Sequence, residues 1–298
     1  MKFCLLVPLL LGLSNRQVYG LQSKEFALEY IQHILNSTNE DANFAIAPYM
    51  AYELYRELFE STSIYGFLPE IGSNVDVDPH LPKAILKHEY KNETFIEQNI
   101  TMKARWTFNF QTRDTSKRPF HQLDSGDRTY LVDNLRKDDV FRYAFLEELN
   151  ASVLELPLHL NEIKLLIILP QEENGLEELK DYLIDNINMV DYISKTQFSM
   201  TLVRVMLPKF SLEDEQDLTE FYDEISDEDI SKYDTIQQSI KLKFKEHGIG
   251  DFEKITVLFW NAYSYLRITP EVVDISHPFL FMITNKDGIQ FFGQVVKC

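Results

Sequence analysis

The sequence predicts a single α+β domain with more than one sheet, and three features carry that prediction. Residues 23–35 place apolar side chains at helical spacing, and residues 163–170 form an apolar run typical of a strand buried on both faces. Near the C-terminus, residues 277–283 and 288–296 predict two strands joined by Asn285-Lys286-Asp287-Gly288, a sequence typical of turns. No repeat and no domain-scale linker divides the chain.

The other elements follow from the same periodicities. Helical spacing returns at residues 49–59 and 175–187, whereas Gly, Pro, Asp and Ser make residues 61–82 a predicted loop. Eleven acidic residues within 213–234 predict a solvated helix or loop. Further strands are predicted at residues 43–48, 94–110, 152–158, 201–212, 239–245 and 255–260.

The chain is acidic, with 47 acidic against 29 basic residues and a formal net charge of −18. Nucleic acids and anionic membranes bind basic surfaces, so this charge argues against both as partners and is compatible with a basic protein. The sequence contains no Gly-x-Ser-x-Gly, His-Glu-x-x-His or Cys-x-x-Cys motif and no glycine-rich phosphate loop. We therefore expect a protein that is not an enzyme and needs no metal or cofactor.

Residues 1–20 have the pattern of a secretory signal peptide. Lys2 precedes an apolar run from Phe3 to Leu13, and the small residue Gly20 marks the expected cleavage site. The run is too short and wrongly flanked to span a membrane. We therefore expect a secreted, extracellular protein whose single domain covers residues 21–298.

Sequons and cysteine usage are compatible with an extracellular protein. Four Asn-x-Ser/Thr sequons are candidate glycosylation sites, and they begin at Asn36, Asn92, Asn99 and Asn150. Asn99 is the least favoured because it lies in a predicted strand. Removal of residues 1–20 leaves Cys298 as the only cysteine, so no intrachain disulfide is expected. We expect a monomer in which Cys298 is either a harmless thiol or the site of an intermolecular disulfide.

Several motifs, in order along the chain, carry a family resemblance. They are Asn43-Phe44-Ala45-Ile46-Ala47-Pro48, Ala104-Arg105-Trp106, Leu207-Pro208-Lys209-Phe210, His277-Pro278-Phe279 and Phe292-Gly293-Gln294-Val295-Val296. Together they resemble the serpins, the serine protease inhibitor family, although Ala47 stands where the family has a serine. The resemblance implies a mixed, multi-sheet α+β serpin-like fold. The stretch before Trp106 is short for the family, which implies a reduced helical region and a reduced main sheet, sheet A.

Serpins trap proteases by inserting a cut reactive-centre loop as a new strand of sheet A, and the hinge of that loop is unusual here. Glu246-His247-Gly248 resembles the family's hinge, after which inhibitory members carry small residues. Here Asp251, Phe252 and Glu253 follow. Successive side chains of a strand take opposite faces, so insertion would bury at least one charge at a cost of several kcal/mol. We therefore expect covalent trapping to be weak or lost.

The scissile bond has three candidate residues. Counting along the family spacing leads to Ala262, and counting back from Pro270 leads to Leu266 and Arg267. Arg267 suits a trypsin-like protease and Leu266 a chymotrypsin-like one, while the alternative of a plain exposed connection stays open. The resemblance thus implies an inhibitor homologue that meets extracellular serine proteases. Two alternatives are a functional suicide-substrate inhibitor and a non-inhibitory carrier or signalling serpin.

Overall fold

The computed structural model describes residues 23–38, 41–60, 83–90, 93–122, 129–159, 163–226, 230–231, 233–252 and 269–298. These residues form five α-helices and fifteen strands. The helices are α1 (Ser23–Ser37), α2 (Pro48–Tyr55), α3 (Leu176–Asp185), α4 (Asn188–Lys195) and α5 (Thr219–Ile225). None of these helices has the length and apolarity needed to cross a membrane.

The strands are β1 (Phe44–Ile46), β2 (Lys83–Tyr90), β3 (Glu93–Thr101), β4 (Ala104–Arg105), β5 (Ser116–His121), β6 (Thr129–Leu146), β7 (Ala151–Pro157), β8 (Lys164–Pro170), β9 (Ser199–Pro208), β10 (Phe210–Asp217), β11 (Thr235–Lys245), β12 (Gly248–Ile249), β13 (Glu271–Asp274), β14 (Phe279–Asn285) and β15 (Gly288–Val295). They form two sheets, of nine and six strands. The predicted α+β class with more than one sheet is confirmed.

The nine-stranded sheet is the middle layer of the molecule. Its order is β1-β15-β14-β8-β7-β6-β9-β13, with β5 also paired to β6. Its central strands are apolar on both faces, as predicted for residues 163–170, because each face meets another layer. Leu166 and Ile168 pack with helices α1, α3 and α4 on one side, whereas Leu165 and Ile167 pack toward the six-stranded sheet on the other.

The six-stranded sheet has the order β2-β3-β11-β12-β4, and β10 pairs with the other side of β11. Its central strands β3 and β11 run parallel, from Thr235 opposite Phe95 to Lys241 opposite Thr101. Along β11, Ile236, Ile240, Leu242 and Phe244 are buried, and the residues between them are polar. This alternation shows that the sheet is covered on its inner face only.

Some predicted boundaries were wrong. The predicted strand 201–212 is two strands, β9 and β10, separated at Lys209, whose side chain bonds Glu246. The predicted strand 94–110 ends at Thr101 and resumes only as the short β4. The acidic stretch 213–234 is in part strand, because β10 continues to Asp217 along β11. The long strand β6 was not predicted at all.

Candidate functional site

The segment that resembles the serpin hinge, residues 246–248, lies at the end of the six-stranded sheet where β11 ends. After Lys245 the chain turns back and enters the sheet as β12, between β11 and β4. Gly248 pairs with Lys245 on one side and with Arg105 on the other, and both pairings are antiparallel. The segment that resembles the serpin hinge therefore pairs as a short strand inside the six-stranded sheet.

Two glycines make this entry sterically feasible. Gly248 has φ +146° and Gly250 has φ +104°, and L-residues that carry a side chain rarely adopt such backbone angles. A Cβ at Gly248 would lie 2.0 Å from the carbonyl oxygen of Ala104. The backbone N of Gly250 donates a hydrogen bond to the Lys243 carbonyl at 2.7 Å. Only a chain without side chains at these two positions fits so close to its neighbours.

The turn before β12 is anchored from two sides. Lys209 Nζ donates to Glu246 Oε1 at 2.9 Å, and Trp106 Nε1 donates to the Lys245 carbonyl at 2.9 Å. Partial burial alone would raise the pKa of Glu246, but the hydrogen bond from Lys209, a backbone hydrogen bond and the neighbouring positive charge together outweigh it, and the pKa is lowered. Glu246 is thus a charged anchor of the turn, and the buried Trp106 supports it from the neighbouring segment.

The chain leaves the sheet immediately after Gly250. Ile249 is fully buried in the core, so by alternation the next inward position would belong to Asp251. Instead the Asp251 carboxylate lies outside, 2.6 Å from Lys243 Nζ and paired also with Lys245. Hydrogen bonds from Lys243 and Lys245 lower the pKa of Asp251 to about 2. The carboxylate is therefore charged and held on the outer face.

Phe252 is held on the same outer face. The guanidinium carbon of Arg105 lies 4.3 Å from the centre of the Phe252 ring, and Lys103 Nζ lies 5.5 Å from it. Both distances fit cation–π contacts. Asp251 and Phe252, which the sequence marked as obstacles to insertion, thus each have partners outside the sheet.

A buried pair of glutamine side chains links the parallel strands β3 and β11. The paired part of these two strands, from Thr235 opposite Phe95 to Lys241 opposite Thr101, is called the seam below. Gln98 and Gln238 are fully buried, and Gln238 Nε2 donates to Gln98 Oε1 at 2.8 Å. Gln238 Oε1 accepts from the backbone N of Ala47 at 2.8 Å, and Gln98 Nε2 donates to the Met50 carbonyl at 3.0 Å. Parting the seam would leave these groups unsatisfied at about 1–3 kcal/mol each.

The structure places only some of the predicted site residues. Glu246 and Gly248 lie at the turn and in β12 as described. Ala262, Leu266 and Arg267 fall in residues 253–268, and Asn92 in residues 91–92, outside the described parts of the chain. Asn36 and Asn150 are exposed, Asn99 is half-buried in β3, and burial raises the pKa of the Cys298 thiol to about 12.

The sequence reasoning missed the residues that hold the hinge and the seam. Lys243 and Lys245 alternate with buried residues along β11, so the strand period alone could have placed them on the outer face. The Gln98–Gln238 pair had no such signal, because the parallel pairing of β3 with β11 brings together residues 140 positions apart. Glutamine inside a predicted strand is otherwise unremarkable in sequence.

Comparison with known proteins identifies the family. The family model described as "Serpin (serine protease inhibitor)" matches residues 82–298. Antichymotrypsin-2 of Bombyx mori is 27% identical over 213 residues, which is 66% of this chain and 55% of that protein. Iripin-2 of Ixodes ricinus is 30% identical over 216 residues, covering 66% of this chain and 52% of that protein. The chain spans about half the length of these curated relatives.

A solved structure supports the same fold. The crystal structure of Serpin48, described as a highly specific serpin of the insect Tenebrio molitor, matches with a TM-score of 0.68 at 17% identity. The match covers 93% of this chain and 97% of that one. The expected serpin-like fold and family are confirmed: this chain belongs to the serpin family, a family of serine protease inhibitors and their non-inhibitory homologues rather than of enzymes.

Proposed function

We propose that this chain is a secreted, extracellular serpin that meets serine proteases through residues 253–268 but traps them weakly or not at all. The observation that carries the proposal is the register of β12. Ile249 pairs with Phe244 in an antiparallel manner, so an extended insertion would set Asp251 opposite Leu242 and Glu253 opposite Ile240. Both opposing residues belong to the buried core.

This register turns the sequence argument into a specific energetic obstacle. Two carboxylates would enter an apolar layer, and Asp251 would first have to leave Lys243 and Lys245. An uncompensated buried charge costs several kcal/mol. The β3–β11 pairs would also have to separate, including the buried Gln98–Gln238 contact. Slow insertion favours completed hydrolysis of the loop, so the chain behaves as a protease substrate.

The test is incubation with trypsin-like and chymotrypsin-like proteases, read on a denaturing gel. We expect cleavage between residues 262 and 269, no SDS-stable complex, and little change in Tm after the cut. A matched variant replaces Asp251 and Glu253 by Ala and leaves the rest of the loop intact. An SDS-stable complex with the unmodified chain, or a large rise in its Tm after one cut, would overturn the proposal.

We propose a chymotrypsin-like or a trypsin-like target protease, on the basis of the loop sequence and of the names of the relatives. Leu266 suits a chymotrypsin-like enzyme, and one matching relative is named an antichymotrypsin. Arg267 is the only basic residue between Lys254 and Lys286, so limited trypsin digestion should give an early fragment beginning at Ile268. Arg267→Ala should remove that fragment. First cuts elsewhere, with Arg267 intact, would contradict the assignment of the reactive centre.

Secretion is part of the proposal. In a eukaryotic secretory system the chain should lose residues 1–20 and shift on deglycosylation, with exposed Asn36 and Asn150 as the better placed sequons. Retention of the full-length chain in the cytosol would contradict it. Burial raises the pKa of the half-buried Cys298 thiol to about 12, which disfavours disulfide exchange, so we propose a monomer.

A second candidate function, that of a carrier, is favoured by one cavity. A pocket of about 660 Å³ lies among α1, α4 and the β14–β15 turn, lined by five basic and three acidic side chains and by apolar residues such as Leu28. Thr284 lines it with 2% of its surface exposed, and its Oγ1 has no hydrogen-bond partner among the described residues. Four of the basic side chains pair with Asp191 or Glu155 of the same lining, and the net charge of +2 that the lining keeps suits an amphipathic anion.

The carrier function is tested with a fluorescent amphipathic anion, anilinonaphthalene sulfonate, titrated into the folded protein without protease. We expect saturable 1:1 binding that Ala27→Phe, which fills the pocket from α1, removes. Binding that is unchanged in this variant would contradict the carrier assignment and leave the protease-substrate proposal standing.

A further inference from the structure

The hairpin of β6 and β7 carries an exposed aromatic ring beside a sequon. Leu146 pairs with Ala151 at the base of its loop, and Phe145 pairs with Ser152 at the next position along the strands. Directly paired residues of antiparallel strands share a face, so Phe145 lies on the same side of the sheet as the serine of the Asn150 sequon. With 42% of its surface in water, Phe145 is the only exposed phenylalanine in the described parts of the chain.

The neighbours of Phe145 are packed, whereas its own ring is not. Ala144 and Leu146, on the other face, pack against the core cluster under the helices. Tyr143, on the same face as Phe145, packs against the cluster between the two sheets, and its hydroxyl lies 3.1 Å from Ser152 Oγ. Phe145 is two residues further along and belongs to neither cluster. One face of its ring is therefore available to a ligand.

Asn150 ends the hairpin loop at a fixed backbone position. Its φ of 45° and ψ of 44° are left-handed, a conformation that asparagine adopts more readily than most residues. Its backbone N donates to the Glu147 carbonyl at 3.1 Å, and its own carbonyl accepts from the backbone N of Gln171 at 2.8 Å. The Asn150 side chain is exposed. A sugar on this side chain would thus be attached to a backbone that is held from both sides.

We propose that Asn150 carries an N-linked glycan and that Phe145 is the residue on which its first N-acetylglucosamine stacks. One face of the pyranose ring presents only C–H groups, and packing it on an aromatic ring takes both surfaces out of water. Asn150 is two residues before Ser152, the direct partner of Phe145, so a sugar on the exposed amide lies within reach of the ring. Because the sugar is added in the secretory pathway, this assignment rests on the proposed secretion.

The modification is a group transfer to the Asn150 amide. A bond forms between Asn150 Nδ2 and the anomeric carbon of the sugar, and the bond from that carbon to a phosphate oxygen of a lipid-linked oligosaccharide diphosphate breaks. Nδ2 loses one proton in the same step. The acceptor is the unfolded chain during translocation, so the contact between Tyr143 and Ser152 does not oppose the transfer.

The stacking contact is tested by a double-mutant cycle on the chain secreted from eukaryotic cells. Asn150→Gly removes the attachment atom and leaves the turn unstrained, because glycine accepts positive φ. It should lower Tm by about 2 °C more when Phe145 is present than in combination with Phe145→Ala. Trimming by endoglycosidase H, which leaves the first sugar, should keep Tm unchanged. The control Asn36→Gln, near the end of α1, should change Tm equally with and without Phe145→Ala.

Mass spectrometry of the secreted chain gives the occupancy of each sequon. A glycan at Asn36 with none at Asn150 would overturn the inference and leave the proposed secretion standing. An equal effect of Asn150→Gly with and without Phe145→Ala would overturn the role of Phe145. Full-length chain retained in the cytosol would overturn secretion and glycosylation together, whereas an SDS-stable protease complex would overturn only the proposed loss of trapping.

Discussion

The two sheets of this molecule are stabilised in different ways. The nine-stranded sheet is a middle layer whose central strands β8 and β14 are buried on both faces. The six-stranded sheet is apolar on its inner face and polar on the other, and its central seam is closed by an amide pair. The first sheet is thus stabilised by apolar packing on both faces, and the second by apolar packing on one face together with a buried amide pair between its parallel strands.

This difference separates stability from function. Removing apolar surface from the central strands of the nine-stranded sheet should destabilise the whole domain, because these strands are buried on both faces and pack into one core cluster on each side. Changes in the six-stranded sheet should act on its seam and on the hinge that enters it. The comparison therefore predicts which substitutions are global and which are local.

The largest effect is expected in the nine-stranded sheet. Phe281 is fully buried in β14, and its ring packs edge-on against Phe244 at 5.7 Å. Phe281→Ala should lower the free energy of unfolding by about 3–5 kcal/mol, measured by urea denaturation. The control Phe145→Ala removes a ring that is 42% exposed and should cost far less. Similar losses in both variants would show that burial in this sheet does not dominate stability.

A smaller effect is expected at the seam of the six-stranded sheet. Gln238→Leu keeps the side-chain volume but leaves the backbone N of Ala47 and Gln98 Oε1 without their bonds, at about 1–3 kcal/mol. Amide hydrogen exchange should quicken in β3 and β11 and stay unchanged in β14. Gln237→Leu, one residue away on the outer face, is the matched control. Equally faster amide exchange in both sheets would contradict a stabilising role of Gln238 that is confined to β3 and β11.

The stability of the nine-stranded sheet should depend on pH through His277. His277 is buried, which lowers its pKa, and its Nε2 bonds the Pro170 carbonyl at 2.9 Å beside β8. A lowered pKa in the folded state favours the neutral ring, so stability is present above the ordinary value of 6.5 and is lost as the pH falls below it. Tm should fall between pH 7 and pH 5. His277→Gln should reduce this fall in Tm, whereas the control His33→Gln should not. An identical fall in Tm in the unmodified protein and in both variants would exclude His277 as the cause.

The smallest effect is expected from a surface pair on the nine-stranded sheet. Arg204 donates three hydrogen bonds to Asp138 between β9 and β6, and these bonds lower the pKa of Asp138. Both side chains are about a third exposed, so Asp138→Asn should cost only about 0.5–1 kcal/mol and less at high salt. A loss of several kcal/mol in a urea titration would mean that this pair is part of the sheet's core stability.

The sequence predicted best where a local pattern decides the structure. The C-terminal hairpin was predicted from two apolar runs around a turn, and it forms as β14 and β15 with Asn285 opposite Gly288. Helix α1 and strand β8 were predicted for the same reason. The family motifs predicted a hinge at Glu246 and Gly248, which stays a prediction, and they said nothing about the contacts of these residues.

What the sequence could not predict depends on pairing between distant segments. Strand β6 is eighteen residues long and pairs with β5, β7 and β9 along different parts of its length, so it has no single alternating pattern. The position of Asp251 depends on lysines of β11 that lie across a turn. The charge pattern predicted that Asp251 resists insertion, and the fold adds that its carboxylate pairs with Lys243 and Lys245.

The order of strands in the nine-stranded sheet has a consequence for what a cut chain becomes. The three strands that the structure describes after residue 268, β13, β14 and β15, all belong to this sheet, and the β14–β15 pair lies between β8 and β1. After a cut within residues 253–268, β1 and β8, which precede the cut, would still pair with the two outer sides of β14–β15. The cleaved protein is expected to remain a complex of its two fragments and to migrate as one species under native conditions. The C-terminal fragment should be released only on denaturation.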